Sequence, residues 1–239
     1  LENNMFYCVR EQEKMSKSKF NVVNPDEICD QYGADTLRMY EMFLGPIEQS
    51  KPWDTRGISG VHSFLKKFWS LFFKDGLINI SDEEPSKESL KSLHKTIKKI
   101  TEDIEKLSLN TCISSFMICI NELSSIGCNN RDILQELLIL ISPFAPHFAE
   151  ELWSQLGHKE SIVDQTYPVY NEKYLLETEK LYPVSFNGKT KFTINLSLEL
   201  SNKEIEDAVL SFEKTKSILN NLKPKKVIVV PGKIINIVL

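Results

Sequence analysis

The sequence predicts a mainly α-helical protein with a small α+β end. Apolar residues recur at steps of three and four from about residue 56 to 175, as in helices that each bury one face. From Pro183 the apolar period drops to two, on either side of an Asn187-Gly188 pair that favours a hairpin turn. The 239 residues exceed one average domain, and a hydrophobic fraction of 41% supports two or three cored units.

Met5-Phe6-Tyr7-Cys8-Val9 reads as a buried strand that delivers the chain into Lys14-Met15-Ser16-Lys17-Ser18. Two lysines three residues apart, with small hydroxylated residues between them, suit a loop that closes on a polyphosphate. Strand ends are where open α/β sheets bind ligands. On the pentapeptide alone a solvated surface loop is the better reading. Asn24-Pro25-Asp26-Glu27 then predicts a helix start, with asparagine as cap, proline at the first position and acids in the first turn. Asp35 is expected to cap a second helix, Thr36 to Phe43, that stops at Gly45-Pro46.

Four apolar stripes follow. Ile58, Val61, Leu65, Phe68, Trp69 and Phe72 form the first, and Leu90, Leu93, Ile97, Ile100, Ile104 and Leu107 the second. Leu109, Cys112, Ile113, Phe116, Ile120 and Leu123 make the third, and Leu134, Leu137, Leu138 and Ile141 the fourth. Together they predict an antiparallel bundle whose stripes are core. Asp82-Glu83-Glu84-Pro85-Ser86 is a polar connector. The fourth helix breaks at Ser142-Pro143-Phe144-Ala145-Pro146, and a new one is expected from His147 to Leu156, closed by Gly157. Lys91, Lys95, Lys98 and Lys99 share one helix face, but Glu102, Asp103 and Glu105 follow, so a solvated face with intrahelical pairs is expected.

Residues 176–182 read as a charged link. Beyond it, Val184 and Phe186 precede the turn, and Phe192, Ile194 and Leu196 alternate after it. A helix from Lys203 to Phe212 with a short continuation to Leu222, then strands at 227–230 and 234–238, give the order β-β-α-β-β.

No apolar run approaches a membrane span and no secretory pattern is present, so a cytoplasmic protein is expected. Cys8, Cys29, Cys112, Cys119 and Cys128 contain no C-x-x-C pair, and His62, His94, His147 and His158 show no metal spacing with them. Free core thiols and no metal site are expected. His147 has no local nucleophile or carboxylate motif and reads as structural. From Pro183 on there are nine lysines and five acids, +4, against −8 for the remainder. A basic end can hold RNA although the whole chain is acidic, because phosphate attraction is local.

The stretch Lys14 to Asp26, with Tyr32-Gly33-Ala34-Asp35-Thr36-Leu37-Arg38, closely resembles the class I aminoacyl-tRNA synthetases. Tyr40 through Glu48 to Lys51-Pro52-Trp53, and the ending Val229-Val230-Pro231-Gly232-Lys233 to Val238, resemble the leucyl-tRNA synthetase family of bacterial type. Pro143-Phe144-Ala145-Pro146-His147 to Trp153 is similar to the anticodon-binding bundle of leucyl, isoleucyl, valyl and methionyl enzymes. Phe20 departs from the pattern, standing where many relatives carry glycine, which implies a stiffer loop.

The resemblance implies a catalytic-domain tail over 1–55, a helical anticodon-binding bundle over 56–175, a linker over 176–182 and a tRNA-binding α+β domain over 183–239. It implies ATP with Mg as substrate and tRNA-Leu as partner. Lys17 would be the chief catalytic residue, helped by Lys14, with Met15, Ser16 and Ser18 completing the ATP loop. Implied tRNA contacts are Lys51, Trp53, Arg56, Lys189, Lys191, Lys223, Lys225, Lys226 and Lys233, although for Trp53 a packing role at the domain junction is the stronger expectation. The chain opens at Leu1 without methionine, as a piece of a longer protein would. Catalytic and editing domains of the same polypeptide are then its partners, the parent is expected to be a monomer, and the fragment alone is expected to activate no leucine. Two alternatives stay open: a stand-alone RNA-binding or scaffold module, and a fragment of a valyl, isoleucyl or methionyl enzyme.

Overall fold

In the computed structural model, which describes residues 11–176, 179–198, 200–220 and 222–239, the chain is mostly helical with two small sheets. The expected strand at Met5–Val9 and Cys8 lie outside the described residues. Two compact units divide between Leu175 and Leu176.

The first unit opens with α1 (Pro25–Tyr32), where Asn24 Oδ1 accepts from the Asp26 amide at 3.1 Å and Pro25 occupies the first position. The next helix differs from expectation. α2 (Ala34–Phe43) starts two residues before Thr36, its cap is Gly33 at φ +87°, and Asp35 caps nothing on its own helix. That φ is open to glycine at no steric cost, so the chain turns sharply between α1 and α2.

α3 (Thr55–Trp69) is capped by Asp54, and Gly57 lets it approach α2: a Cβ there would lie 2.9 Å from the Tyr40 hydroxyl. A two-stranded hairpin follows, β1 (Phe73–Lys74) and β2 (Leu77–Ile78), turning at Asp75 and Gly76, both at positive φ. Asp-Gly is a strong hairpin pair, and its short flanking strands made it illegible by period.

α4 (Lys87–Glu105), α5 (Leu109–Ser125), α6 (Arg131–Ile141) and α7 (Pro146–Gln155) complete the unit. Ile97, Ile100, Ile113, Phe116, Leu123, Leu137 and Leu138 are fully buried, so the three- and four-step stripes are core. Each such side chain contributes about 1.5–3 kcal/mol relative to exposure. Leu107 is an exception. It lies beyond the end of α4 at φ +54° and is 57% exposed, because the chain must reverse there into α5. The lysine face of α4 is largely occupied: Lys99 meets Asp103 at 2.6 Å, Lys95 reaches Glu122 at 3.9 Å, and Lys98 lies over the Tyr170 ring.

In the second unit β3 (Glu179–Phe186) begins four residues before Pro183, so most of the expected 176–182 link is strand. It pairs with β4 (Lys189–Ser197) through Asn187 and Gly188, both at positive φ. Helix α8 (Asn202–Ser211) carries a capping box between Ser201 and Glu204, and α9 (Glu213–Leu219) is a separate helix. The order is therefore β-β-α-α-β-β rather than β-β-α-β-β. The break falls at Phe212, whose extended backbone sets its ring 5.5 Å from that of Phe192. β5 (Lys226–Val230) and β6 (Ile234–Val238) complete a sheet of order β4-β3-β6-β5, in which β3 and β6 run parallel. Pro183, without an N–H, falls just before Val184, where pairing with β6 starts. Tyr182, Val184, Ile205, Val209, Ile235 and Ile237 form this unit's own core.

Candidate phosphate loop and nucleic-acid surfaces

Residues 14–21 form a small closed turn. Lys17–Lys19 make a single 3-10 turn, with the Lys19 amide on the Ser16 carbonyl (3.1 Å) and the Phe20 amide on the Lys17 carbonyl (3.2 Å). Asn21 fastens the two ends: its Oδ1 accepts from the Ser16 amide at 2.9 Å and its Nδ2 donates to the Lys14 carbonyl at 3.4 Å. The Ser16 and Ser18 hydroxyls lie 3.1 Å apart. Lys19 pairs with Glu13 at 3.1 Å, whereas Lys14 and Lys17 have no ion pair among the described residues. The loop thus exposes two cations and no competing acid of its own. Phe20 closes the turn at φ +52°, a conformation that glycine adopts without strain, and its ring is 96% exposed. The resemblance marked this position as a departure from glycine, and the left-handed backbone gives the physical reason glycine suits it.

A cleft of about 800 Å³ brings Lys14 and Met15 together with Glu41, Lys51 and Trp53. Trp53 is held by its neighbours: Nε1 donates to Thr55 Oγ1 at 2.9 Å, and its ring meets Tyr40 edge-on at 5.3 Å. The Tyr40 hydroxyl donates to the Asp54 carbonyl. Arg56 is forked onto Asp54, both bonds 2.9 Å, which holds the Asp54 carboxyl below its ordinary range. Arg56 thus offers less free charge than Lys51, for which no ion pair is found among the described residues.

Asp35, expected to cap its own helix, and Arg38, quoted above only for the resemblance, have a role that sequence reasoning missed. Buried Asp35 accepts from the Phe148 amide at 2.6 Å and from His147 Nδ1 at 2.9 Å, so it caps α7 from α2. Arg38 donates to the Pro143 carbonyl at 3.1 Å. The two side chains fasten the helix after the loop to the α6–α7 corner, and His147 serves that joint. The only sequence signal was an acid and an arginine three apart near a helix start, which local capping rules assign to their own helix.

In the second unit the lysines separate into groups. Lys189 follows the β3–β4 turn, and Lys225 and Lys226 stand where β5 pairs with the end of β6, so they share one end of the sheet. Asn187 ties that end together, its amide on Ile237 and its Oδ1 on the Leu239 amide (both 3.0 Å). Lys233 is in the β5–β6 turn at the opposite end. Lys191 lies on β4, the far edge from β5. Lys223 precedes β5, and Lys225 Nζ donates to the Leu239 carbonyl at 3.0 Å.

Cys29, Cys112, Cys119 and Cys128 are free thiols. Burial pushes the Cys112 thiol up to about 11 and the Tyr167 phenol up to about 12. Among the described residues no three His, Cys, Asp or Glu side chains converge to hold a metal, and no helix is long and apolar enough to cross a membrane.

Comparison with known proteins supplies the class. The family described as the anticodon-binding domain of tRNA ligase matches residues 86–227, and the class I tRNA synthetases (I, L, M and V) match residues 5–54. The first match alone spans more than half of the chain, which therefore belongs to the tRNA ligases that carry this domain. Within that class it is similar along its whole length to leucine–tRNA ligases. It is 62% identical to that of Flavobacterium psychrophilum over 238 residues, 100% of this chain and 25% of the relative. The enzymes of Christiangramia forsetii and Cytophaga hutchinsonii are 61% and 56% identical over 99% and 100% of this chain. The chain spans about a quarter of the length of these relatives (25% and 26% for the latter two). Among solved structures, the ternary complex of Agrobacterium radiobacter K84 agnB2 LeuRS with tRNA and LeuAMS matches 94% of this chain and 31% of its own, at 27% identity and a TM-score of 0.64.

Proposed function

We propose that this chain is the C-terminal part of a leucine–tRNA ligase, supplying the ATP-phosphate loop and tRNA-binding surfaces for charging tRNA-Leu. One observation carries the proposal: a tied turn presents Lys14 and Lys17, without an ion pair among the described residues, on a chain similar from end to end to leucine–tRNA ligases. In this reading residues 1–55 end the catalytic domain, 56–175 form the anticodon-binding-type bundle, and 183–239 meet the tRNA.

The chemistry follows from the loop's charge. In the first step the leucine carboxylate attacks the ATP α-phosphate and pyrophosphate leaves. In the second a ribose hydroxyl of the terminal adenosine of the tRNA attacks the carbonyl of the resulting leucyl-AMP, the leucyl ester forms and AMP leaves. Negative charge builds on non-bridging α- and β-phosphate oxygens as the P–O bond breaks, and the Lys17 ammonium, reaching from an exposed turn, neutralises it. Lys14 at the other end of the turn adds a second charge, and Ser16 and Ser18 hold the turn. Asn21 sets the spacing between them. Magnesium would be held by the ATP phosphates, since the described part of the chain offers no cluster of ligands. In the second unit, lysines at both ends of one small sheet suit recognition of backbone and shape rather than of bases.

Binding of the chain to tRNA-Leu, tRNA-Ser and a tRNA with a short variable arm, across a salt series, tests the reading. Preference for tRNA-Leu that weakens when Lys225, Lys226 and Lys233 are neutralised supports it. Equal, weak binding to all three that vanishes with salt refutes specific recognition by this part of the enzyme.

A further inference from the structure

A groove of about 460 Å³ opens among α1, α2, α3 and α7, away from the phosphate loop. Tyr32, Trp69 and Phe148 supply aromatic walls, with His62 and Lys66 beside them. Trp69 is braced by Phe73, stacked at 5.2 Å, and meets Phe148 edge-on at 5.9 Å.

The hydrogen bonds determine what the groove offers. The Thr36 hydroxyl donates its proton to the Tyr32 carbonyl at 2.8 Å, so toward His62 Nδ1, 3.4 Å away, it can only accept. In its neutral form the His62 ring therefore carries its proton on Nδ1 and presents Nε2 as an acceptor, with no hydrogen-bond partner among the described residues. Lys66 has no ion pair among them either. The acid of the groove, Asp35, is already engaged by His147 and the Phe148 amide. Aromatic faces, a ring-nitrogen acceptor, a cation and no uncommitted carboxylate together match one nucleotide. The volume also suits one such unit.

We propose that this groove is a nucleotide site on structured RNA: it takes one unstacked base bearing an exocyclic amine, which donates to His62 Nε2, while Lys66 meets the adjoining phosphate. The proposal rests on the RNA-binding reading above. An acidic peptide is disfavoured because it would leave the aromatic walls and the His62 acceptor unmatched.

The test uses the full 239-residue chain and the indole N–H signal of Trp69, assigned through Trp69→Phe. The probes are AMP, CMP, UMP and a tRNA-Leu transcript. The Trp69 signal should move with AMP and CMP more than with UMP, which lacks the amine, and should move with the transcript. His62→Phe and Lys66→Ala should each weaken transcript binding about tenfold while leaving the unfolding midpoint unchanged. If the transcript binds both variants as well as the parent chain and Trp69 does not respond, the groove proposal falls and RNA binding stands. If the transcript does not bind the parent chain at all, both fall. The same two variants in the full-length ligase provide a last check: lowered melting temperature with unaltered tRNA affinity would mean that another segment of the polypeptide packs into the groove, which also overturns the proposal.

Discussion

Lys17 and Phe20 occupy the same turn and have opposite relations to the fold. Lys17 is exposed and unpaired among the described residues, so the fold gains nothing from its charge. Lys17→Ala should leave the unfolding midpoint of the chain unchanged, yet slow leucine-dependent ATP–pyrophosphate exchange by the full-length enzyme about 10²–10³-fold, the usual cost of removing one charge-stabilising group. Unchanged exchange would remove Lys17 from the chemistry. Phe20 holds a left-handed conformation with no packing to offset it. Phe20→Gly should strengthen the turn by up to about 1 kcal/mol, read as slower hydrogen exchange at the Phe20-position amide that bonds to Lys17.

Cys112 gives a pH dependence. Its thiol, fully buried, titrates near 11 in the fold against an ordinary 9.0. Below pH 9 both states are protonated and nothing changes. Between 9 and 11 the unfolded chain ionises first, so stability falls as pH rises, by about 2 kcal/mol. Cys112→Ala should make that fall shallower in a urea-unfolding series between pH 8 and 11, the remainder coming from Cys119, Cys128 and Tyr167, which burial also raises.

At the scale of elements, α2 and α7 are joined by one carboxylate. Asp35→Ala leaves the Phe148 amide and His147 without their partner and should cost about 1–3 kcal/mol in chemical unfolding of the first unit. Asp35→Asn keeps an acceptor for the amide and should cost less. Equal losses would mean that the charge rather than the cap matters. The helices themselves were legible wherever one face meets the core, as in α5 and α6. The failures have local causes. Asp35 resembles a cap for its own helix because capping rules see only neighbours in sequence, whereas its partner lies 113 residues on. The α8–α9 break at Phe212 goes with a ring contact to Phe192 across the second unit, which no period reveals.

For the whole molecule, the two units have separate cores. Trp53, Trp69 and Trp153 all belong to the first, whereas Tyr182 is fully buried in the second. Unfolding followed by tryptophan fluorescence should therefore report the first unit alone, and its midpoint should differ from that of amide signals of Tyr182 and Val184. Coincident midpoints would mean that the units unfold as one.

The sequence by itself determined the helical stripes, the change of period near Pro183 and the Asn187-Gly188 turn, because each depends on residues within a few positions of one another. Tertiary structure alone decided that Asp35 caps a distant helix, that Lys14 and Lys51 line one cleft, and that Lys189 and Lys225 share one end of a sheet. Periodicity states which face of an element is buried. It does not state which element covers that face, and long-range side-chain partners are chosen only when the faces meet.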